Sequence, residues 1–126
     1  MENIDARFGE GTVVITRVFD APRALVWQAW TDPTMLAQWF GPRGFTSSVP
    51  QWDLRTDGAL RIVMHGPDGS DYPMKGVFRE VTPPERLVFS NIAIGNDGNH
   101  LLEGETIVTL AEQGGKTTMV LTSHAV

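Results

Sequence analysis

The sequence predicts an α+β fold, in which a curved antiparallel sheet of about six or seven strands carries two short helices after its first strand. Three observations support this fold class. Residues 12–19 are rich in β-branched residues, residues 22–40 show two consecutive stretches with helical spacing of apolar residues, and short strand-like segments follow from Thr46 onward. A chain of 126 residues has the usual length of one domain, so we expect a single domain over residues 1–126.

The first strand is predicted at residues 12–19, TVVITRVF, because Val, Ile and Thr favour extended backbone. The sequence Asp-Ala-Pro closes this strand. Pro22 suits the first position of a helix, where its missing N–H has no partner to lose. We therefore expect a helix to begin near residue 22.

Two amphipathic helices of about ten residues are predicted between this strand and residue 41. Their apolar positions recur on one face, at Leu25, Val26, Ala29 and Trp30 in the first and at Met35, Leu36, Trp39 and Phe40 in the second. Asp32 is a suitable N-cap for the second helix and Pro33 a suitable first residue. Gly41-Pro42 ends that helix, because proline disfavours helical geometry at the residue before it.

The remainder of the chain reads as strands joined by tight turns. Turn sequences at 56–58, 66–73, 82–85, 95–100 and 112–115 alternate with strand-like segments at 59–65, 74–81, 86–94, 103–111 and 116–126. Pro-Asp-Gly, Asn-Asp-Gly and Gly-Gly supply the positive φ angles that tight turns need. Short strands joined in this way are typical of an antiparallel meander.

Alternation within these strands predicts one apolar sheet face that needs a cover. Leu60, Ile62 and Met64 fall on one face, with Arg61 and His65 on the other. Two short helices shield only part of such a face, and monomers rarely expose a large apolar patch. We expect either a long C-terminal helix that this sequence lacks or a second chain, such as the partner in a homodimer, to cover the open face.

Composition excludes several functional classes. The net charge is −5 and the Arg and Lys residues are scattered, which argues against a nucleic-acid partner. No stretch approaches the ~20 apolar residues of a membrane span, and the N-terminus does not resemble a signal peptide. The chain has no cysteine, as is common in reducing compartments. These features predict a cytoplasmic location.

The ionisable residues predict no metal site, no cofactor and no catalytic machinery. His65, His100 and His124 are not at metal-ligand spacing, and no cysteine completes a site. None of them falls in a recognisable nucleophile–base arrangement, and no phosphate-binding loop or G-x-S-x-G motif is present. Glu103 and Glu105 point to the same face of one strand, which we interpret as the solvated outer face.

Residues 14–45, 73–90 and 117–126 resemble the bacterial proteins similar to the activator of the ninety-kilodalton heat-shock chaperone's ATPase, a family of the START-like, birch-pollen-allergen superfamily. The pairing of Thr-Asp-Pro with Trp-Phe-Gly-Pro at 31–42 and the segment PMKGVFREV at 73–81 carry this resemblance. It implies a helix-grip fold, in which the sheet wraps around a long C-terminal helix and two short helices close one end. It also implies an internal cavity for a small apolar ligand in many members.

The leading hypothesis is a domain that binds a small apolar or aromatic molecule, lipid-like or polyketide-like, in a pocket lined by Trp39, Phe40, Met64, Met74, Phe78, Phe89 and Met119. Trp30 and Trp39 are expected mainly to pack in the core, with Trp39 and Phe40 also bordering the pocket mouth. One alternative is an enzyme of the polyketide cyclase or aromatase type, for which His65, Asp53 and Glu105 are the candidate acids and bases. Another is a protein-binding module that resembles a co-chaperone of the stress response and uses the open sheet face.

Overall fold

The computed structural model describes residues 4–9, 12–95 and 97–125 of the chain. Its strands are β1 (Ile4–Gly9), β2 (Thr12–Phe19), β3 (Thr46–Trp52), β4 (Ala59–His65), β5 (Asp71–Thr82), β6 (Arg86–Ile94), β7 (His100–Gln113) and β8 (Lys116–Ala125). They form one antiparallel sheet in the order β1-β2-β8-β7-β6-β5-β4-β3. The helices are α1 (Arg23–Thr31) and α2 (Pro33–Trp39), both between β2 and β3. The predicted α+β fold, of the helix-grip type, is confirmed.

Strand β2 occupies the predicted residues Thr12–Phe19. The structure adds a strand before it, β1, which pairs with β2 from Ile4 opposite Arg17 to Gly9 opposite Thr12. Over the described residues, the sheet therefore has eight strands instead of the expected six or seven. On its other edge β2 pairs with β8, which brings β8 beside α1.

A single residue, Asp32, joins the two helices. Its Oδ1 accepts hydrogen bonds from the backbone N–H of Thr34 at 2.9 Å and of Met35 at 3.3 Å. Pro33 occupies the first turn of α2, and the Asp32 N–H in turn donates to the carbonyl of Gln28 at the end of α1. The predicted cap and first residue of α2 are both confirmed, and the helix ends before Gly41, whose φ is +105°.

One face of the sheet, here called the inner face, carries the core beneath the helices. Leu60 and Ile62 are about 1–2 % exposed and Phe78 is fully buried, whereas Arg61 between the first two is exposed. Leu36 of α2 packs into the same cluster, with an exposure of 1 %. The predicted alternation in the central strands is thus confirmed, and the opposite side is here called the outer face.

The helices lie over one end of the inner face. Helix α1 packs beside β7 and β8, and α2 packs beside β3. The indole Nε1 of Trp52 donates to the carbonyl of Thr31 at 2.8 Å, and the hydroxyl of buried Thr117 donates to the carbonyl of Ala21 at 2.7 Å. These bonds tie the chain at both ends of α1 to the sheet. Within the described residues, no helix has the length and apolar character that crossing a bilayer requires.

Candidate functional site

A cavity of about 510 Å³ opens between the two helices and the β2–β8 part of the inner face. The helices contribute Leu25, Val26, Ala29, Trp30, Met35 and Trp39 to its lining. The sheet and the turn after β2 contribute Arg17, Phe19, Ala21 and Met119. Its volume lies within the range of about 300–1,000 Å³ that is usual for small-molecule sites.

The helical wall of this cavity follows from the apolar spacing in the sequence. Leu25, Ala29 and Trp30 recur on one face of α1, and Met35 and Trp39 recur on one face of α2. The positions are not equally buried, because Leu25 is 48 % exposed and Trp39 is 44 % exposed, whereas Trp30 is only 7 % exposed. Trp30 therefore forms the inner wall of the cavity, and Leu25 and Trp39 form its rim.

Trp39 is held in place at the rim despite its exposure. Its indole Nε1 donates a hydrogen bond to the carbonyl of Ala29 at 3.0 Å. Its ring meets that of Trp30 edge to face, with centroids 4.7 Å apart and planes at 75°. Such aromatic pairs add about 0.5–1.5 kcal/mol beyond the area that they bury. The aromatic part of the rim is thus fixed in orientation.

Arg17 supplies the charged group of the lining. It lies on β2 opposite Met119 of β8, on the same face as Phe19 two residues later. Its guanidinium carbon lies 5.1 Å from the centroid of the Phe19 ring, within the distance of a cation–π contact. Its Nε atom is shielded from solvent. The cavity wall therefore combines aromatic surface with one fixed positive charge.

A second, much smaller space of about 10 Å³ lies on the other side of Trp30. It is enclosed by Trp30, Leu36, Phe40, Trp52, Leu60, Ile62 and Phe89. A space of this size holds at most one water molecule, and a lining without polar groups does not favour one. This side of the helical pair is therefore part of the packed core.

The structure brings only some of the predicted pocket residues together. Trp39 and Met119 line the large cavity, whereas Phe40 and Phe89 line the small enclosed space. Phe78 is fully buried, and its ring packs edge to face against Trp52 with centroids 5.0 Å apart.

The two remaining predicted residues, Met64 and Met74, are half-buried on the inner face, outside the linings of both spaces. Met74 packs against the edge of the core. The side chain of Met64 lies close to Gly41, where a Cβ atom would stand 3.3 Å from its sulfur.

Sequence reasoning did not identify Arg17, Phe19 or Ala21 as members of the site. The available signal was the alternation within β2, since Arg17 shares the parity of the apolar residues Val13, Ile15 and Phe19. The helical residues Leu25, Ala29 and Met35 were recognised as apolar stripes, but not as cavity walls. An arginine with the parity of the apolar face was thus the overlooked indication of this part of the cavity wall.

The ionisable candidates lie away from the cavity. Asp53 accepts two hydrogen bonds from the Nε of Arg55, the shorter at 2.8 Å, and Glu105 lies 3.6 Å from His124. Glu103 and Glu105 both lie on the outer face, as the register of β7 requires. Asp53, His65 and Glu105 are therefore not brought to one site. Within the described residues, no cluster of three metal-ligating side chains is found.

One polar constellation was not anticipated. The Oγ of Ser48 lies 2.9 Å from Nε2 of His65, whose Nδ1 lies 2.7 Å from a carboxylate oxygen of Asp71. The spacing of these residues in the sequence does not reveal this group, because β3 and β5 flank β4 and bring both partners to His65. The side chains of His65 and Asp71 are 39 % and 62 % exposed, unlike a catalytic triad, whose aspartate is buried. We interpret this group as a surface hydrogen-bond chain.

Comparison with solved structures identifies proteins with the same fold. Protein Ms6760 from Mycobacterium smegmatis is 27 % identical, with a TM-score of 0.85 over 98 % of this chain and 80 % of that one. Protein CV1439 from Chromobacterium violaceum is 26 % identical, with a TM-score of 0.84 over 92 % and 80 %. A protein from Arthrobacter aurescens is 25 % identical, with a TM-score of 0.88 over 98 % and 73 %.

The family assignment rests on a sequence model. No curated protein matches the chain in sequence. The model of the family described as activator of Hsp90 ATPase homolog 1-like protein matches residues 20–126, which include both helices and all strands from β3 to β8. The resemblance seen in the sequence is thereby confirmed, and the chain belongs to the activator of Hsp90 ATPase homolog 1-like family.

Proposed function

We propose that this chain is a binding domain for a small apolar or aromatic molecule, which occupies the cavity between the helical pair and the β2–β8 part of the sheet. The observation that carries the proposal is the size and lining of this cavity, about 510 Å³ walled by Phe19, Trp30, Trp39 and Met119. The proposal includes the cytoplasmic location that the sequence predicts.

The exposed rim supports a ligand at this place. Leu25 and Trp39 leave nearly half of their large apolar side chains in contact with water, and both border the same opening. Grouped apolar exposure of this kind marks binding surfaces more often than it marks plain protein surface. A ligand that filled the cavity would remove both side chains from water, and each would then contribute binding free energy through the area it buries.

The lining favours binding over acid–base catalysis. Arg17 is the ionisable side chain within the described lining, and a guanidinium stays protonated at all physiological pH values. The cyclase alternative requires a carboxylate or imidazole in contact with the ligand. His65, Asp53 and Glu105 all lie outside this lining.

The test is the binding of N-phenyl-1-naphthylamine, a neutral dye that fluoresces in apolar surroundings. Ala29→Phe places a ring inside the cavity, and Ala24→Phe makes the same change at an exposed position of the same helix. We expect the wild type and Ala24→Phe to bind the dye with equal affinity and Ala29→Phe to bind it at least about tenfold more weakly. Circular dichroism and thermal unfolding establish that both variants fold.

Two results would contradict the proposal. One is the absence of saturable dye binding by the wild type. The other is equal binding by Ala29→Phe and Ala24→Phe, because the dye would then bind elsewhere on the surface.

A second candidate function is a protein-binding module of the co-chaperone type. The inner face beyond the helices, where Met64 and Met74 lie, is only half-buried, and the family description names an activator of a chaperone ATPase. A native mass spectrum of the purified chain separates the candidates. A monomer with additional mass that is lost on denaturation supports a small ligand, whereas a dimer without additional mass supports a protein-covered face.

A further inference from the structure

The position of Arg17 narrows the chemical class of the ligand. Its side chain leaves β2 on the inner face, between Ile15 and Phe19, and reaches a cavity whose other lining residues are apolar or aromatic. Charged side chains at such positions are uncommon in apolar walls, since removing a charge from water is costly. Arg17 therefore places a positive charge and N–H donors at one point of an otherwise apolar wall.

The guanidinium is held in a defined orientation. Its carbon lies 5.1 Å from the centroid of the Phe19 ring, and Met119 lies opposite Arg17 on β8. A planar guanidinium presents five N–H donors, so an interaction on one of its edges still leaves donors for a second partner. Paired N–H groups in this geometry match the oxygens of a carboxylate, sulfonate or phosphate.

We propose that the cavity binds an amphipathic organic anion, with its apolar body between Phe19, Trp30 and Trp39 and its anionic group on the guanidinium of Arg17. This inference rests on the proposed function, because it assigns a ligand class to the same cavity. The chain as a whole carries a charge of −5 and so repels anions at long range. Selection for an anion therefore depends on the local contact with Arg17.

A matched pair of dyes tests the inference. N-phenyl-1-naphthylamine and 8-anilinonaphthalene-1-sulfonate share the same aromatic body, and only the second carries a negative charge. We expect the wild type to bind both and to prefer the sulfonate. Arg17→Met should weaken binding of the sulfonate by about tenfold or more relative to binding of the neutral dye, because only the sulfonate loses a charge-assisted hydrogen bond. The control is Arg61→Met, at an exposed position on the outer face of β4, which should change neither affinity.

The outcomes separate this inference from the proposed function. If the wild type binds neither dye, the proposed function fails. If it binds both dyes equally, or if Arg17→Met weakens both to the same extent, the cavity binds apolar molecules and the anion inference is overturned.

A further measurement uses the wild-type protein alone, in case Arg17→Met does not fold. Competition with 1-naphthoate and with dodecanoate then distinguishes an aromatic from an aliphatic acid as the better ligand. Displacement by either acid supports the inference, and displacement by neither contradicts it.

Discussion

The helical pair packs against the sheet in two different ways on the two sides of Trp30. Towards β3, β4 and β6, the helices contribute Leu36 and Phe40, which pack against Trp52, Ile62 and Phe89. Only an empty space of about 10 Å³ remains between them. Towards β2 and β8, the same two helices leave about 510 Å³. Both sides are built from the same amphipathic helices, so an apolar stripe by itself does not determine whether a helix seals a core or borders a cavity.

The difference arises from the side chains that meet between the layers. On the sealed side each helical residue faces large side chains, Trp52 and Phe89 among them. On the open side two of the lining residues, Ala21 and Ala29, are alanines, which leave space that no neighbouring side chain fills. Cavity formation in this fold thus depends on where small residues occur along the stripe as well as on its apolar character.

The largest expected effect is a loss of stability, and it is seen by comparing the same truncation at two leucines of the helical pair. Leu36→Ala removes a side chain that is 1 % exposed on the sealed side and should lower the free energy of unfolding by about 2–5 kcal/mol. Leu25→Ala, the same truncation at a rim position that is 48 % exposed, should cost no more than about 0.5 kcal/mol. Urea unfolding measures both variants, and equal losses would show that the two sides do not differ in packing.

Adding volume should show the same contrast between a packed position and the cavity. Gly76→Ala on the inner face of β5 would place a Cβ atom 1.8 Å from the carbonyl oxygen of Ser90, so the backbone must shift, and we expect a loss of about 1–3 kcal/mol. Ala29→Phe adds far more volume, but it does so inside the open cavity and should leave the melting temperature nearly unchanged. A larger loss for Ala29→Phe than for Gly76→Ala in thermal unfolding would mean that the cavity is not available to side chains.

The smallest expected effect on stability concerns two hairpin turns that belong neither to the sealed side nor to the cavity side of the helical pair. The backbone N–H groups of Ser70 and Asn99 donate to the carboxylates of Asp68 and Asp97, and these bonds hold the pKa of each aspartate below its ordinary value of 3.8. A lowered folded-state pKa gives stability that is present above 3.8 and is lost as the pH falls through the folded-state value.

The variant Asp68→Asn/Asp97→Asn should therefore lose less stability than the wild type on acidification below pH 3.8. Urea unfolding at neutral and at acid pH gives, for the variant and for the wild type, the loss in free energy of unfolding on acidification. Identical pH dependence in the variant and the wild type would show that the turn carboxylates do not contribute.

The features that the sequence predicted well depend on local chemistry. Asp32 and Pro33 set the start of α2 through groups within one helical turn, and the β-branched residues of 12–19 specify β2 directly. Strand β1, Ile4–Gly9, was not predicted, because its sequence IDARFG lacks a β-branched run and its pairing with β2 is a tertiary contact.

The site was only partly predictable for the same reason. Periodicity placed Phe78 and Met119 on the inner face, but it does not reveal the distance between that face and the helices above each residue. Phe78 is therefore part of the solid core, whereas Met119 borders the cavity. Arg17 was overlooked because a strand of apolar residues indicates burial, and only the position of α1 and α2 shows that a cavity lies above it.

Strand β3 has a consequence for the behaviour of the protein at high concentration. It forms one edge of the sheet, and its register with β4 shifts between Ser48 and Gln51, a stretch that contains Pro50. A proline offers no N–H to a neighbouring strand, and an irregular edge does not present an even row of donors and acceptors. A strand from another molecule therefore cannot extend the sheet continuously past this point, which protects this edge against intermolecular β-aggregation.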